Sequence, residues 1–246
     1  MKTYSVSIVN YLNSALFVEG LKTFDANALI LELDTPTNSA QKLLDGAVDI
    51  ALAPVAILPK LPEHYIVSDY CIGTVGKVQT VKVFSDVPIQ EVKRIYLDYQ
   101  SRTSVQLATL LCKHYWKIEP ELLPAYPGFQ KDIVNDNAGL IIGDRAIRAL
   151  GKYKFEYDLG EEWLKWQQLP FVFAVWIANK KIDKDWLQVF NQHLKMGLAQ
   201  KPKIIEKYKH LNTQEFSVDQ YVHQYISYDF DEEKQKALKL FLSYLQ

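Results

Sequence analysis

A run of four polar residues follows a predicted buried strand, at the point where a helix is predicted to begin. The strand covers residues 94–98, and the run is Ser101-Arg102-Thr103-Ser104. A helix N-terminus offers unpaired backbone N–H groups and the positive end of the helix dipole. Hydroxyl and guanidinium donors suit a carboxylate or a phosphate. One such residue could simply cap the helix, but four exceed what capping requires, so the run predicts a site for a small anion.

Polar residues stand beside three other predicted strands. Asn13 and Ser14 follow the first strand, Asp144 follows a later apolar strand, and Gln79 and Thr80 lie in a polar stretch beside an extended run. Ligands of open α/β sheets bind beyond the carboxyl ends of the strands, so these residues are candidates for the same site. A plain helix cap is the alternative for Asn13, Ser14 and Asp144. Asp144 could also orient a hydroxyl or act as a base.

Composition narrows the class of ligand. The chain has 246 residues, 28 Lys and Arg against 29 Asp and Glu, and a formal net charge of −1. A chain this neutral has no global field that would attract nucleic acid or an anionic membrane. It carries no glycine-rich phosphate loop, its five histidines lack metal-ligand spacing, and its two cysteines are too few for a cysteine-rich metal site. We therefore expect no nucleic-acid partner and no metal, and an anion held by local geometry.

Alternating elements must position these residues. Strand patterns near 4–10 and 28–33 alternate with capped helices, which indicates an α/β fold with largely parallel strands. Helical patterns dominate after Asp183 and include a helix near 213–227. No apolar stretch approaches the roughly 18 residues of a membrane span, and the N-terminus lacks the signal-peptide pattern. We expect a soluble, cytoplasmic protein that does not enter a membrane.

Four segments match, in order, the motifs of one known family. Residues 9–14 resemble its opening S-Y-L-N-(S/T)-x-P-L, and residues 97–104 match its L-D-x-x-S-R-T-S. Residues 141–146 match I-G-D-x-A, and residues 158–176 match D-L-G-x-x-W followed by L-P-F-V-F-A-x-W. The chain thus resembles the menaquinone-biosynthesis enzymes of the futalosine pathway.

The resemblance implies a type 2 periplasmic-binding-protein fold, in which two α/β lobes enclose a ligand cleft. One lobe would combine residues 1–83 with residues 173–246, including the C-terminal helices. The other lobe would hold residues 84–172. Extended runs at about 80–85 and 171–176 fit the two crossings between the lobes.

Within that family the chain most resembles the branch that dehydrates chorismate, which implies a lyase yielding 3-[(1-carboxyvinyl)oxy]benzoate. The ring becomes aromatic as water leaves, so the resemblance implies no cofactor. It assigns the hydroxyls and the guanidinium of one motif to a carboxylate of this small dianion; that motif is Ser101, Arg102, Thr103 and Ser104. Whether the protein is a monomer or a homodimer stays open.

The other candidate residues would complete the site. Asn13 and Ser14, with Thr80, would face the second carboxylate or the ring hydroxyl, and Gln79 is a further substrate-binding candidate. Asn13 and Asp144 are the catalytic candidates, Asp144 as a base or an orienting group. A substrate carboxylate that takes the proton itself is the alternative to a side-chain base.

Two other functions fit the same fold. One is that of a related enzyme of the pathway, which makes 1,4-dihydroxy-6-naphthoate; its opening loop differs from residues 11–14 here. The other is a non-catalytic solute-binding protein, which the missing signal pattern disfavours. The chain departs from the dehydrating branch at two places. Ala15 stands where that branch usually has a proline, and residues 77–80 stand where it has smaller residues, the last of them a serine.

Overall fold

The structure, a computed structural model, describes residues 2–245 and contains eleven strands and nine α-helices in that range. The strands are β1 (Tyr4–Val9), β2 (Leu29–Asp34), β3 (Ile50–Pro54), β4 (Tyr65–Thr74), β5 (Val81–Ser85), β6 (Arg94–Leu97), β7 (Glu121–Pro124), β8 (Asn137–Ile142), β9 (Phe155–Asp158), β10 (Phe171–Ala178) and β11 (Ser227–Asp229). The helices are α1 (Ala15–Leu21), α2 (Pro36–Leu44), α3 (Thr103–Leu110), α4 (Asp144–Ile147), α5 (Leu159–Gln167), α6 (Lys184–Leu198), α7 (Lys201–Tyr208), α8 (Val218–Gln220) and α9 (Glu232–Ser243). None of these helices is long and apolar enough to cross a membrane.

Six strands form the first sheet, in the order β11-β4-β10-β3-β1-β2. β1 runs parallel to β2 and β3, whereas β10 runs antiparallel to β3 and β4. The central strands β3 and β10 are buried along nearly their whole length. Burial on both faces explains why their sequences are continuous apolar runs that do not alternate.

Five strands form the second sheet, in the order β7-β6-β8-β5-β9. β6 runs parallel to β7 and β8, and β5 runs antiparallel to β8 and β9. The expectation of largely parallel strands is therefore wrong: across both sheets only four of the nine pairings are parallel. The direction of a strand depends on which sheet the chain enters and on the end at which it enters. Local sequence patterns carry no information about either.

The chain crosses between the sheets twice. It leaves the first sheet at Thr74, the end of β4, and returns at Phe171, the start of β10. The division of the lobes at 83/84 and 172/173 stays a prediction. We propose crossings at residues 75–80 and 168–170, because all of β5 pairs in the second sheet and all of β10 in the first.

The C-terminal helices are fastened to the N-terminal part by a close helix crossing. A Cβ at Gly20 in α1 would lie 2.0 Å from the carbonyl oxygen of His193 in α6, and a Cβ at Gly197 would lie 2.2 Å from that of Leu16. Only glycine allows the two backbones to approach this closely, since larger side chains would have to overlap. The crossing anchors α1, which begins directly after the Asn13 loop.

The predicted helix near 213–227 forms only over residues 218–225, and both ends of the prediction are wrong. Residues 213–216 form a turn, in which the Thr213 N–H donates to the Phe216 carbonyl over 2.9 Å. The helix begins only after Ser217, whose hydroxyl accepts from the Gln220 N–H. It continues as a π-helical segment, Tyr221–Tyr225, and gives way to β11. Capping by Ser217 sets this later start.

Candidate active site

A cavity between the two sheets encloses about 590 Å³, part of it open to solvent. Its apolar walls come from both sheets and include Leu52, Ile72, Ile142 and Phe173. Its polar lining consists of Tyr11, Asn13, Thr80, Ser101, Thr103 and Ser104. Five of the nine predicted site residues thus line one cavity, and Ser14, Gln79, Arg102 and Asp144 do not.

The N-terminal end of α3 forms one wall of the cavity. The buried carboxylate of Asp98 accepts from the backbone N–H groups of Gln100 (2.9 Å) and Ile142 (3.1 Å), which holds the turn after β6 against β8. The Ser101 hydroxyl then accepts from the Ser104 N–H over 3.0 Å and caps the helix. Ser101 is therefore a cap and a lining residue at once.

Thr103 and Arg102 tie α3 to the first sheet's side of the cleft. The Thr103 hydroxyl accepts from the Ala56 N–H over 3.3 Å. The Arg102 guanidinium donates to the Gln41 side-chain oxygen over 2.9 Å and lies outside the cavity. The guanidinium that the sequence suggested for a substrate carboxylate thus faces α2 in this structure.

Asn13 and Ser14 lie next to each other but point to different surroundings. The Ser14 hydroxyl is fully buried and donates to the carbonyls of Val9 and Tyr11, so it stabilises the loop after β1 and does not reach the cavity. The Oδ1 atom of Asn13 is buried without a hydrogen-bond partner among residues 2–245. Buried amide atoms rarely stay unpaired, so Asn13 has a free polar atom in a residue that lines the cavity.

Thr80 reaches the cavity because Asp158 organises the crossing before it. The buried Asp158 carboxylate accepts from the backbone N–H groups of Val78 (3.0 Å) and Gln79 (2.7 Å), and also from the start of α5. Gln79 is held at φ +66°, in the left-handed region that non-glycine residues seldom adopt. This bend leaves the Gln79 side chain outside the cavity and Thr80 inside.

A residue from the C-terminal helices supports Thr80. The Tyr221 hydroxyl lies 2.9 Å from the Thr80 hydroxyl, and burial raises the pKa of Tyr221 well above its ordinary value. The tyrosine is therefore a neutral hydrogen-bonding partner at physiological pH. No motif in the sequence marked Tyr221, because its contact spans more than half of the chain.

A chain of hydrogen bonds reaches the cavity through Tyr11. The Asp98 carboxylate accepts from Arg145 at 2.8 and 2.9 Å, Arg145 also donates to the Gln100 side-chain oxygen at 2.9 Å, and the Tyr11 hydroxyl donates to that same oxygen. Burial raises the pKa of Tyr11 to about 12, although the nearby Arg145 opposes the rise. Sequence reasoning assigned these residues no role, although three of the family motifs contain Tyr11, Asp98 and Arg145.

Asp144 lies behind the cavity wall. Its carboxylate accepts from the Leu12 N–H over 3.2 Å, and so connects the start of α4 to the loop after β1. Burial raises its pKa, while the Leu12 hydrogen bond and the charge of Arg148 lower it. A catalytic base must lie within reach of the bound substrate, and Asp144 does not line the cavity that would hold the substrate.

The described cavity lining is electrically neutral. None of its side chains is charged at neutral pH, and Tyr11 is its one ordinary titratable group. Within residues 2–245, no group of three His, Cys, Asp or Glu side chains could hold a metal ion. The arrangement can therefore bind an anion through hydroxyls, amides and the α3 dipole, without a cationic side chain in contact.

Comparison with known proteins assigns the fold and the family. The chain is 27% identical over 239 residues to chorismate dehydratase of Thermus thermophilus, a match covering 84% of this chain and 82% of that protein. A solved structure from Archaeoglobus fulgidus superimposes with a TM-score of 0.78 at 15% identity, covering 98% of this chain and 96% of that chain. A Candida albicans protein described as having the generic periplasmic-binding-protein fold gives a TM-score of 0.60 at 12% identity, covering 99% of this chain and 91% of that chain.

These likenesses confirm the predicted two-lobed, periplasmic-binding-protein-like α/β fold. A family model described as menaquinone biosynthesis matches residues 4–246, which is nearly the entire sequence. The motifs that carry the resemblance include most of the polar residues lining the cavity. The chain therefore belongs to the menaquinone-biosynthesis family.

Proposed function

We propose that this protein removes water from chorismate and releases 3-[(1-carboxyvinyl)oxy]benzoate. Family membership and the similarity to a chorismate dehydratase support the proposal. The observation that carries it is that the N-terminus of α3 and the unpaired amide of Asn13 meet at one cavity. The substrate is a small dianion with a ring hydroxyl, and these groups are suited to both features.

The α3 end of the cavity would hold one substrate carboxylate. Ser104 lines it, so the Ser104 hydroxyl would donate to the carboxylate, while its backbone N–H is already bonded to the Ser101 hydroxyl. The unpaired N–H groups of the first turn carry the positive end of the dipole, roughly half an elementary charge. Arg102 would act by holding α3 to α2 through Gln41, and not by touching the substrate.

The reaction needs a proton acceptor at ring C3 and help for the hydroxyl leaving ring C4. No carboxylate or imidazole of the described chain lines the cavity, so a carboxylate of the substrate would take the proton. The Asn13 amide would donate from Nδ2 to the departing oxygen; rotation of the amide exchanges its donor and acceptor ends. The proton and the hydroxyl leave together as water, and aromatisation of the ring supplies the driving force.

The site would accelerate this reaction mainly by orientation and by excluding water. Apolar side chains such as Leu52, Ile72 and Phe173 cover the walls between the polar groups. In such surroundings fixed hydrogen-bond donors act more strongly than they do in water. We propose in addition that the protein carries out this reaction in the cytoplasm.

The test is to incubate the purified protein with chorismate and to follow loss of the diene absorbance and formation of the aromatic product. We expect conversion by the wild type and at least a hundredfold lower kcat in Asn13→Ala, which is about the loss when one preorganised donor is removed from a transition state. An Asn13→Ala variant with unchanged kcat would remove this residue from the chemistry.

The periplasmic-binding-protein fold supports two other functions, and the same assay separates them. Tight binding of chorismate without conversion would identify a solute-binding protein. Conversion of a cyclic futalosine derivative, with chorismate unchanged, would identify a naphthoate-forming enzyme.

A further inference from the structure

The hydrogen bonds around Gln100 leave only one possible direction for the proton of Tyr11. Arg145 can only donate hydrogen bonds, so the Gln100 atom that it contacts at 2.9 Å must be the carbonyl oxygen. The Tyr11 hydroxyl contacts the same oxygen and must therefore donate to it. Both Asp98 carboxylate oxygens accept from the same Arg145 nitrogen, Nη2, at 2.8 and 2.9 Å, and so keep that nitrogen beside Gln100.

The consequence for the cavity is a phenol oxygen that can only accept a hydrogen bond. Because the Tyr11 proton is committed to Gln100, the phenol oxygen has only lone pairs left for a ligand. The other polar side chains of the lining are hydroxyls and an amide, each of which can donate. A carboxylate has no proton to offer and would be repelled by those lone pairs, whereas a hydroxyl would be attracted.

Packing keeps Tyr11 in this position. A Cβ at Gly143 would lie 2.8 Å from Cε2 of Tyr11, so the ring sits directly against a backbone that has no side chain. Burial raises the pKa of Tyr11, which keeps the phenol protonated and able to donate to Gln100. The acceptor is therefore built by three elements: the loop after β1, the turn before α3 and the start of α4.

We propose that Tyr11 is a specificity-determining residue that accepts a hydrogen bond from the substrate's ring hydroxyl, and that Gln100 and Arg145 are positioning residues for it. The inference rests on the proposed function and names its ligand class: a cyclic carboxylic acid with a hydroxyl on the ring. The hydroxyl proton would point to Tyr11, while its oxygen accepts from Asn13. This arrangement would fix the orientation of the bond between ring C4 and the hydroxyl oxygen, which breaks in the reaction.

The reaction's own product provides the test, because it keeps both carboxylates and lacks the ring hydroxyl. In Tyr11→Phe we expect kcat/KM for chorismate to fall about tenfold or more, as for a lost hydrogen bond in a buried site. The inhibition constant of the product should stay within about twofold, since no hydroxyl is present to lose a partner. Tyr65→Phe is the matched control, because Tyr65 also donates to a side-chain oxygen, that of Glu63, away from the cavity.

Two substitutions at Gln100 test the positioning role and do not alter Tyr11 itself. Gln100→Glu keeps an acceptor oxygen for both Arg145 and Tyr11 and should keep the ratio of chorismate kcat/KM to product affinity. Gln100→Leu frees the Tyr11 proton, so this ratio should fall. A merely structural role would lower thermal stability in both variants without separating substrate from product.

Each outcome decides the matter. A tenfold loss confined to chorismate supports the inference, as does rescue of the ratio by Gln100→Glu. An equal loss for substrate and product, or unchanged kinetics in Tyr11→Phe, overturns it. If Tyr11→Phe does not fold, an unchanged ratio in Gln100→Leu overturns it instead. A wild type that leaves chorismate unconverted overturns the proposed function, and the inference with it; an active wild type beside an unaffected Tyr11→Phe overturns the inference alone.

Discussion

Gly143 is where a single added methyl group should disturb both stability and the cavity. It lines the cavity directly after β8, with φ +64° and ψ −151°. Residues other than glycine scarcely adopt this backbone conformation. A Cβ there would lie 2.8 Å from Cε2, 3.0 Å from Cδ2 and 3.1 Å from Cζ of Tyr11, whereas favourable carbon–carbon contacts need about 3.5–4.0 Å.

The cost of Gly143→Ala has two parts. The backbone conformation costs about 1–3 kcal/mol for a residue with a side chain. Pushing the Tyr11 ring away costs about 1–3 kcal/mol more, the usual range for overpacking in a filled region. We expect the free energy of unfolding to fall by about 2–6 kcal/mol in total. Displacing Tyr11 would also move its hydroxyl away from Gln100, so kcat/KM for chorismate should fall too.

Gly128→Ala is the matched control. Gly128 also has a positive φ, +88°, but a Cβ there would meet nothing within 4 Å. It should therefore cost only the backbone part, about 1–2 kcal/mol, and leave kcat/KM unchanged. Urea unfolding measures both free energies, and a double-mutant cycle with Tyr11→Leu isolates the contact with Gly143, expected at about 1–3 kcal/mol. Equal costs at the two glycines, or zero coupling in the cycle, would refute the reasoning.

Three further outcomes follow from the site and its supports. The double variant Thr103→Ala/Ser104→Ala should raise KM for chorismate about tenfold to a hundredfold with the fold intact, because both hydroxyls line the cavity. Asp158→Asn should lower the free energy of unfolding by about 2–3 kcal/mol, because an amide oxygen replaces a carboxylate that accepts several backbone N–H bonds. Hydrogen bonding to Lys203, with help from Lys22, lowers the pKa of Glu19 from 4.5 to about 2. The stabilisation from Glu19 should therefore be full above about pH 4.5 and be lost as the pH falls towards 2, and urea unfolding of Glu19→Gln should show a smaller loss in that range.

The controls for these outcomes come from residues with matching chemistry elsewhere. Arg102→Gln should raise KM far less than the double variant does, since its guanidinium holds α3 to Gln41 from outside the cavity; an equal rise would contradict the described site. Asp25→Asn removes an exposed carboxylate that accepts from Asn27, and it should cost under about 1 kcal/mol. If Asp158→Asn lowers the free energy of unfolding by no more than Asp25→Asn does, the prediction for Asp158 is contradicted. If Glu19→Gln loses as much stability between pH 4.5 and 2 as the wild type does, the prediction for Glu19 is contradicted.

The sequence by itself indicated the fold class and the strand ends that border the cavity. Alternating strand and helix signals indicated the α/β class, because the hydrophobic period and the capping residues act over a few positions. The polar run at residues 101–104 marked the end of a strand and the start of a helix, where ligands of such sheets bind. Its motifs also indicated the family, and Thr80 and Asn13, two of the predicted site residues, line the same cavity.

The tertiary structure alone decided where each polar side chain points and which distant residues support it. Ser14 turns inward to backbone carbonyls, Arg102 turns to Gln41, and Asp144 turns to Leu12. Tyr221 meets Thr80 across 141 positions of the chain. A helix start is specified by its own few residues, whereas the partner of a side chain depends on which strands pair and on how closely the lobes approach. That dependence is the reason sequence reasoning predicted which segments border the cavity and did not identify the hydrogen bonds that orient their side chains.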